Sequence, residues 1–313
     1  MPASRFVCQK RGFIIEKWTF PGGQRRGHLR TCIGRFYGVS GRFYYLQPSW
    51  SLLMAVAARI AAYKDTKRQA PNYKSEDHKV VQLVEPDDEV TTDPPSEVRV
   101  YSQCAVDLCI TATDEGASTI MVVEMNSNYP GPSLEAGGLV GVESEIWLRS
   151  NICQILKDNN YPMPNDQLWH FPELTIFKDA GYENLKEAYA LPVLGVRINP
   201  SPSVQYEQKD GRAEERYADE KDRKHMKQLI YSIFDKVYNL GHICVILPDL
   251  GCEIGHPIDD VVEIFQKAII RYPIPLVVFA MLPYRDFPKK LTKALVGKNE
   301  GRSIVAFTRV FRE

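Results

Sequence analysis

The residues with the clearest chemical potential lie between Glu124 and Ile152, EMNSNYPGPSLEAGGLVGVESEIWLRSNI. Two glycines, Gly137 and Gly138, stand shortly before an acid–hydroxyl–acid run, Glu143-Ser144-Glu145, that opens a helical pattern. Glycines let backbone N–H groups approach a ligand, and a helix start adds partial positive charge, so this order of residues suits a phosphate ester. A shorter stretch, Asp249–Pro257, carries Gly251 and Cys252 between a buried strand pattern and a helix. Asp249 and His256 flank that turn and are expected as exposed loop residues. No metal or other cofactor is expected. The histidines at 28, 78, 170, 225, 242 and 256 show no ligand spacing, and Cys104 and Cys109 are not in a zinc spacing.

The elements that must position these residues read as follows. Thr119–Met125, His242–Pro248 and Pro275–Leu282 are continuous apolar runs of the kind found in strands buried on both faces. Val98–Tyr101, Leu174–Phe177 and Ala190–Ile198 are further strands. The spacing predicts helices over Gln103–Glu115, ended by Gly116, and over about Val142–Lys157. Another runs along the stripe Met226, Leu229, Ile230, Ile233, Phe234 and Val237, ended by Gly241, and a fourth near Ile258–Arg271. Asn159–Pro172 reads as irregular, the charged stretch Pro200–Lys224 as solvated, Phe287–Leu295 as helical and Ser303–Phe311 as a closing strand. Apolar strands alternating with amphipathic helices predict a layered α/β domain with a largely parallel sheet. Ligands in such sheets sit beyond the carboxyl ends of the strands, where both glycine stretches fall.

Lys+Arg and Asp+Glu both count 39 in the 313 residues, so net charge points to no particular partner. The distribution is uneven. Residues 1–50 hold nine Lys/Arg against one acid, Glu16, interleaved with aromatics such as Trp18, Phe36, Tyr44 and Trp50. Alternation at Gly12–Phe20 and Gly41–Leu46 suggests short strands. Such a segment can stack bases and neutralise phosphates, or dock on a protein partner. It can equally pack its rings on the domain and leave its arginines in water, and no RNA-binding motif is present. Ser51–Lys64 reads as a helix. Lys64–Ser96 is polar and proline-bearing, a surface loop or linker with a strand at Val80–Val84. The division is therefore an N-terminal basic extension (1–50), a helix and polar linker (51–96) and a main domain (97–313). Seven cysteines without close pairing fit a reducing, intracellular setting, cytoplasm or nucleus. No secretory signal is visible. The apolar helix candidate Leu52–Tyr63 is too short to span a bilayer, so no membrane partner is expected. No GxGxxG follows a strand, and no P-loop, HExxH or GxSxG occurs.

The stretch from Glu97 to Leu282 resembles the microbial-type poly(ADP-ribose) glycohydrolases. A strand ends in Met125-Asn126-Ser127, similar to the family's Ala-Asn-Ala type turn. Gly137-Gly138-Leu139 stands before a Glu-bearing segment ending Leu148-Arg149-Ser150-Asn151, like the family's GGG…QEE…RRS run. Leu174–Asp179 and Pro192–Val196 resemble its next two strands. His242–Leu247 before Leu250-Gly251-Cys252 resembles its second phosphate loop. The resemblance implies a macrodomain-like three-layer α/β/α fold with a mixed, largely parallel sheet. It implies ADP-ribose or poly(ADP-ribose) as ligand, and cleavage of the ribose–ribose O-glycosidic bond by a glutamic acid that protonates the leaving oxygen. Asn126 would then bond a ribose hydroxyl, while Gly137, Gly138, Gly251 and Cys252 would line the phosphates.

Departures are equally legible. Anchored on Arg149-Ser150, the family's Gln-Glu-Glu falls on Val142-Glu143-Ser144, so its general acid would be Ser144, which cannot be an acid at neutral pH. Glu143 or Glu145 would have to supply the proton. Two residues apart on a helix they point about 200° apart, so at most one faces a substrate. The bland alternative has both as first-turn acids complementing the helix dipole, with Ser144 bonding ribose or capping. Leu139, Glu253 and Ile254 replace family glycines and an aromatic. These changes keep open a second function: a catalytically inactive descendant with a structural or assembly role, docked through its basic arm.

Overall fold

The computed structural model describes residues 4–10, 13–19, 35–36, 50–86, 96–125, 128–131, 134, 141–199, 202–209, 211–281 and 302–311. The chain divides into two compact units, Met1–Leu53 and Met54–Glu313. In the first, β1 (Ser4–Lys10), β2 (Phe13–Thr19) and β3 (Arg35–Phe36) form an antiparallel sheet. The expected strand over Gly41–Leu46 lies outside the described residues.

The second unit is built on a seven-stranded sheet, with helix α1 (Trp50–Gln69) leading into it. The strands are β4 (Lys79–Gln82), β5 (Glu97–Tyr101), β6 (Thr119–Glu124), β7 (Gln167–Lys178), β8 (Asn184–Val196), β11 (Cys244–Leu247) and β12 (Leu276–Ala280), in the order β4-β7-β8-β6-β11-β12-β5. From β8 to β5 all neighbours run parallel, while β4–β7 and β7–β8 are antiparallel. The sheet is thus mixed and mostly parallel, as the apolar runs predict.

Those runs are continuous because both faces are covered. Ile120 and Val122 of β6, Val245 and Leu247 of β11, and Val277 and Phe279 of β12 enter one core. Their alternate neighbours Met121 and Val123, Cys244 and Ile246, Val278 and Ala280 enter the other. Period-2 side-chain alternation makes each central strand serve two cores at once. The first core is closed by α5 (Glu220–Asn239), α6 (Ile258–Arg271) and α7 (Arg302–Phe311). The second is closed by α2 (Ala105–Asp114), α3 (Val142–Arg149) and α4 (Ile152–Ile155), with Tyr63 of α1. The result is the expected three-layer α/β/α arrangement.

Four local expectations are corrected. Ser303–Phe311 is helical, not a strand, because Phe307 and Phe311 on one helix face pack against Phe279, the first edge-on at 4.7 Å and the second stacked at 5.2 Å between ring centroids. Irregular structure ends at Asp166, and β7 begins at Gln167, inside the stretch read as structureless. The charged segment after Pro200 contains a hairpin, β9 (Val204–Lys209) and β10 (Arg212–Tyr217). Its charges pair with α6: Arg216 Nη1 bonds Asp260 at 2.9 Å and Glu263 at 2.6 Å. The helix expected through Lys157 breaks at Ser150. Ser150 turns extended and its hydroxyl donates to the Ile146 carbonyl at 2.7 Å, while Asn151 exchanges bonds with Thr175 of β7. Small polar side chains here compete with the helix for its own backbone groups. Phe287–Leu295 lies outside the described residues.

Candidate functional site

The two glycine stretches leave adjacent parallel strands, β6 and β11, at the same carboxyl edge of the sheet. Within the first, Asn126, Gly137 and Gly138 lie outside the described residues, as do Ser127 and Leu139. Of that loop, Gly131 adopts φ 72° and lies against the indole of Trp147, and Leu134 is buried. A Cβ at Gly131 would stand 3.3 Å from the Trp147 ring, so this glycine packs closely on α3.

Helix α3 begins at Gly141, which caps it without a side-chain bond. Ser144 is buried within the first turn and does not hold the cap position. Glu143 and Glu145 have different surroundings, as their angular separation requires. Glu145 is buried; it accepts a hydrogen bond from the Tyr182 hydroxyl at 3.0 Å and lies 3.7 Å from Arg149 Nη1. Arg149 is itself buried, pairing with Asp107 at 2.7 Å and donating Nε–H to the Lys178 carbonyl at 3.0 Å. Tyr182 reaches Glu145 from the β7–β8 turn in a left-handed conformation, φ 64°, which costs a bulky residue strain. Glu143 is half-buried, and its neighbour is Tyr161. Burial, with the Glu143 charge second, pushes the Tyr161 hydroxyl above its usual range, and the phenol oxygen has no hydrogen-bond partner among the described residues.

The second stretch forms a tight turn. Leu250 (φ 44°) and Gly251 (φ 85°) are both left-handed, followed by a 3-10 turn at Cys252–Ile254 and left-handed Gly255 (φ 107°). Gly251 N–H donates to Glu124 Oε1 at 2.7 Å, tying the end of β6 to the turn after β11. A Cβ on Gly251 would come within 2.7 Å of both the His256 ring and Ile198. The glycine is therefore required by packing whatever else the turn does. The Cys252 side chain is fully buried in the α5–α6 core, so only its backbone faces the turn.

The exposure expected for Asp249 and His256 is incorrect: both are buried. His256 Nε2 bonds the Asn199 carbonyl at 2.6 Å, which makes that nitrogen the donor, and Nδ1 then accepts the Tyr217 hydroxyl at 2.7 Å. Burial holds the ring neutral, with its pKa lowered. Asp249 is pushed up to about 6 by burial, against a bond from Ser303 of α7 that favours the carboxylate. Sequence reading assigned no role to Glu124 or Tyr182, used Arg149 only as a motif anchor, and missed the Tyr217–His256 pair. An acid at the end of an otherwise apolar strand, as at Glu124, was the one signal available for them.

An open groove of about 600 Å³ lies between α1 and the β7–β8 turn. Its charged floor, Lys178 against Asp65 at 2.6 Å, is already paired. Among the described residues no cluster of His, Cys, Asp or Glu fits a metal ion, and no helix is long and apolar enough to cross a membrane.

A mixed, mostly parallel sheet between two helical layers, with β6 and β11 as parallel neighbours, defines a macrodomain-like α/β fold. Solved structures share it, among them the following. Poly(ADP-ribose) glycohydrolase from Thermomonospora curvata bound to the inhibitor ADP-HPD superposes with TM-score 0.52 at 15% identity, over 88% of this chain and 93% of that one. A second structure of the same enzyme gives 0.52 at 16% identity, with the same coverage. Poly(ADP-ribose) glycohydrolase from Deinococcus radiodurans in complex with ADP-ribose gives 0.50 at 13% identity, over 82% and 96% of the two chains. No family model and no curated protein matches the sequence. The resemblance read from residues 97–282 is thus borne out as a likeness of fold.

Proposed function

We propose that this chain recognises ADP-ribose or its polymer at the carboxyl edge of the sheet, between the loop after β6 and the turn after β11. The observation that carries this is the contact between Glu124 and Gly251, because it ties the end of β6 to the turn after β11 at the edge where open α/β sheets bind ligands. The fold likeness to a structure holding ADP-ribose and to one holding ADP-HPD supports the same reading. Asn126 would bond a ribose hydroxyl, with Gly137, Gly138, Gly251 and the backbone of Cys252 along the diphosphate and Ser144 near the sugar. Titrating ADP-ribose into the folded protein calorimetrically should give saturable heat; a folded protein without heat removes the reading.

If the chain also hydrolyses the polymer, Glu143 is the better acid of the two. Glu145 is held by Arg149 and Tyr182, so its carboxylate is already engaged within the fold. Glu143 would protonate the leaving ribose oxygen as water adds to the anomeric carbon. Glu143→Gln should then abolish release of ADP-ribose from polymer, whereas Glu145→Gln should chiefly lower stability. Equal turnover in Glu143→Gln and the parent would reject that role.

The engagement of Glu145, together with Ser144 in the family's acid position, favours a second reading: an inactive, assembly-forming descendant that docks on protein or nucleic acid through residues 1–50. Removing those residues would then abolish assembly or nucleic-acid retention without changing ADP-ribose binding.

A further inference from the structure

In the reading above Glu124 serves only as a tie between β6 and the turn after β11, yet its carboxylate sits on the turn assigned there to phosphate. A left-handed residue followed by a right-handed turn aims successive backbone N–H groups into one concavity, a shape that binds anions. Gly251 (φ 85°, ψ 0°) followed by the 3-10 turn at Cys252–Ile254 has that form. Its first N–H is taken by Glu124 Oε1 at 2.7 Å. An amide has one hydrogen, so a phosphate oxygen can use it only by moving the carboxylate.

The carboxylate is not free to drift with the chain. Glu124 pairs with Val196 in the β6–β8 register, and the next residue, Met125, donates its N–H to the Val196 carbonyl at 2.8 Å. The turn does not owe its shape to the carboxylate either. Gly251 is wedged against His256 and Ile198, and its carbonyl accepts from the N–H groups of Ile254 (3.0 Å) and His256 (3.1 Å). Charge and shape are therefore separable at this turn.

We propose that Glu124 is an internal anion seated in the turn after β11, a specificity-determining residue that weakens binding of diphosphate-bearing ligands there relative to uncharged ones. This deepens, and rests on, the assignment of that edge to ADP-ribose. Glu124 is half-buried, so water screens its charge only in part, and a phosphate arriving beside it meets like charge. Glutamine at this position keeps an oxygen to accept the Gly251 N–H and removes the charge, exchanging the second oxygen for an amide NH2.

The test is calorimetric titration of the full chain and of Glu124→Gln with ADP-ribose, inorganic pyrophosphate and adenosine. Glu124→Gln should bind both phosphorylated probes about tenfold tighter or more, with adenosine unchanged. If the parent binds ADP-ribose and the variant binds it no tighter, Glu124 is a neutral brace and the proposal falls while the ADP-ribose reading stands. If neither binds ADP-ribose but the variant gains pyrophosphate binding, the reading falls and the internal anion stands. If neither protein binds either anion, both fall. Glu124→Asn, which also removes the charge, carries the same comparison should Glu124→Gln not fold.

Discussion

The two segments that leave β6 and β11 are neighbours in the sheet, but different forces hold them. The segment after β6 ends in a helix fixed by charge: Arg149, buried, is shared between Glu145, Asp107 and the Lys178 carbonyl. The segment after β11 is fixed by shape, with Gly251 filling the only space left by His256 and Ile198 and Cys252 sunk in the core. The difference teaches that one wall of the candidate cleft can be dismantled by removing a charge, and the other only by adding volume.

The most damaging way to break this contrast is Arg149→Met. It keeps the volume but leaves Glu145 without its cation, and a broken buried pair costs about 4 kcal/mol. Because Asp107 is 43% exposed and can return to water, the expectation here is nearer ~3 kcal/mol, read as a lower urea midpoint. Adding Glu145→Gln to that variant should recover part of the loss; strict additivity would show that the two groups are not coupled. Next comes Gly251→Ala. The methyl must enter at 2.7 Å from two neighbours in a left-handed conformation, a cost of about 2–3 kcal/mol from overpacking and strain. The same substitution at Gly211, which is also left-handed but has nothing within 4 Å, should cost only the smaller backbone share. A Gly251→Ala protein as stable as the Gly211→Ala one would refute the account of the second wall.

The smallest expected effect sharpens the comparison through pH. On the charge-held side, the Lys178 bond lowers the Asp65 pKa, so that contribution is present above the carboxyl's unfolded value of 3.8 and is lost as pH falls through the lower folded value. On the shape-held side, Asp249 has the opposite sign. Its folded pKa, about 6, lies above 3.8, so its contribution is fully present below pH 3.8 and is lost as pH rises through 6. His170, pushed down to about 4 by burial, opposes Asp249 over nearly the same window and masks it in the parent. Asp249→Asn isolates the group. Relative to the parent, it should gain about 2 kcal/mol between pH 4 and 6.5, measured by urea unfolding across pH. A constant difference between the two proteins would mean that Asp249 does not titrate there.

The sequence made the architecture legible wherever burial on both faces left an uninterrupted apolar run, as in Thr119–Glu124 and Cys244–Leu247. Helix α5 was equally plain, because its six-residue stripe is the face it buries and Gly241 ends it in the left-handed conformation. The hairpin β9–β10 was not legible, since its charged residues look solvated until Asp260 and Glu263, over 40 positions away, come to meet Arg216. The candidate site was legible as two glycine stretches but not as a set of contacts. Glu124 meets Gly251 across 127 positions, and Arg149 meets Lys178 across 29. Neither pairing follows a local period. His256 and Asp249 were misjudged for a related reason: loop residues are expected in water, but these two are roofed by β10 and α7.

Lys178 has a consequence beyond the cleft. Its ammonium, in the sheet's longest antiparallel pair, is neutralised by Asp65 of α1, and Thr66 beside it donates to the Leu148 carbonyl of α3. A fragment begun at Glu97, where the composition invites a cut, would strand that amine without a counter-ion and strip β7 of its β4 neighbour. A single lysine thus finds its opposite charge well upstream of the compositional seam, and a cut at that seam would separate the two.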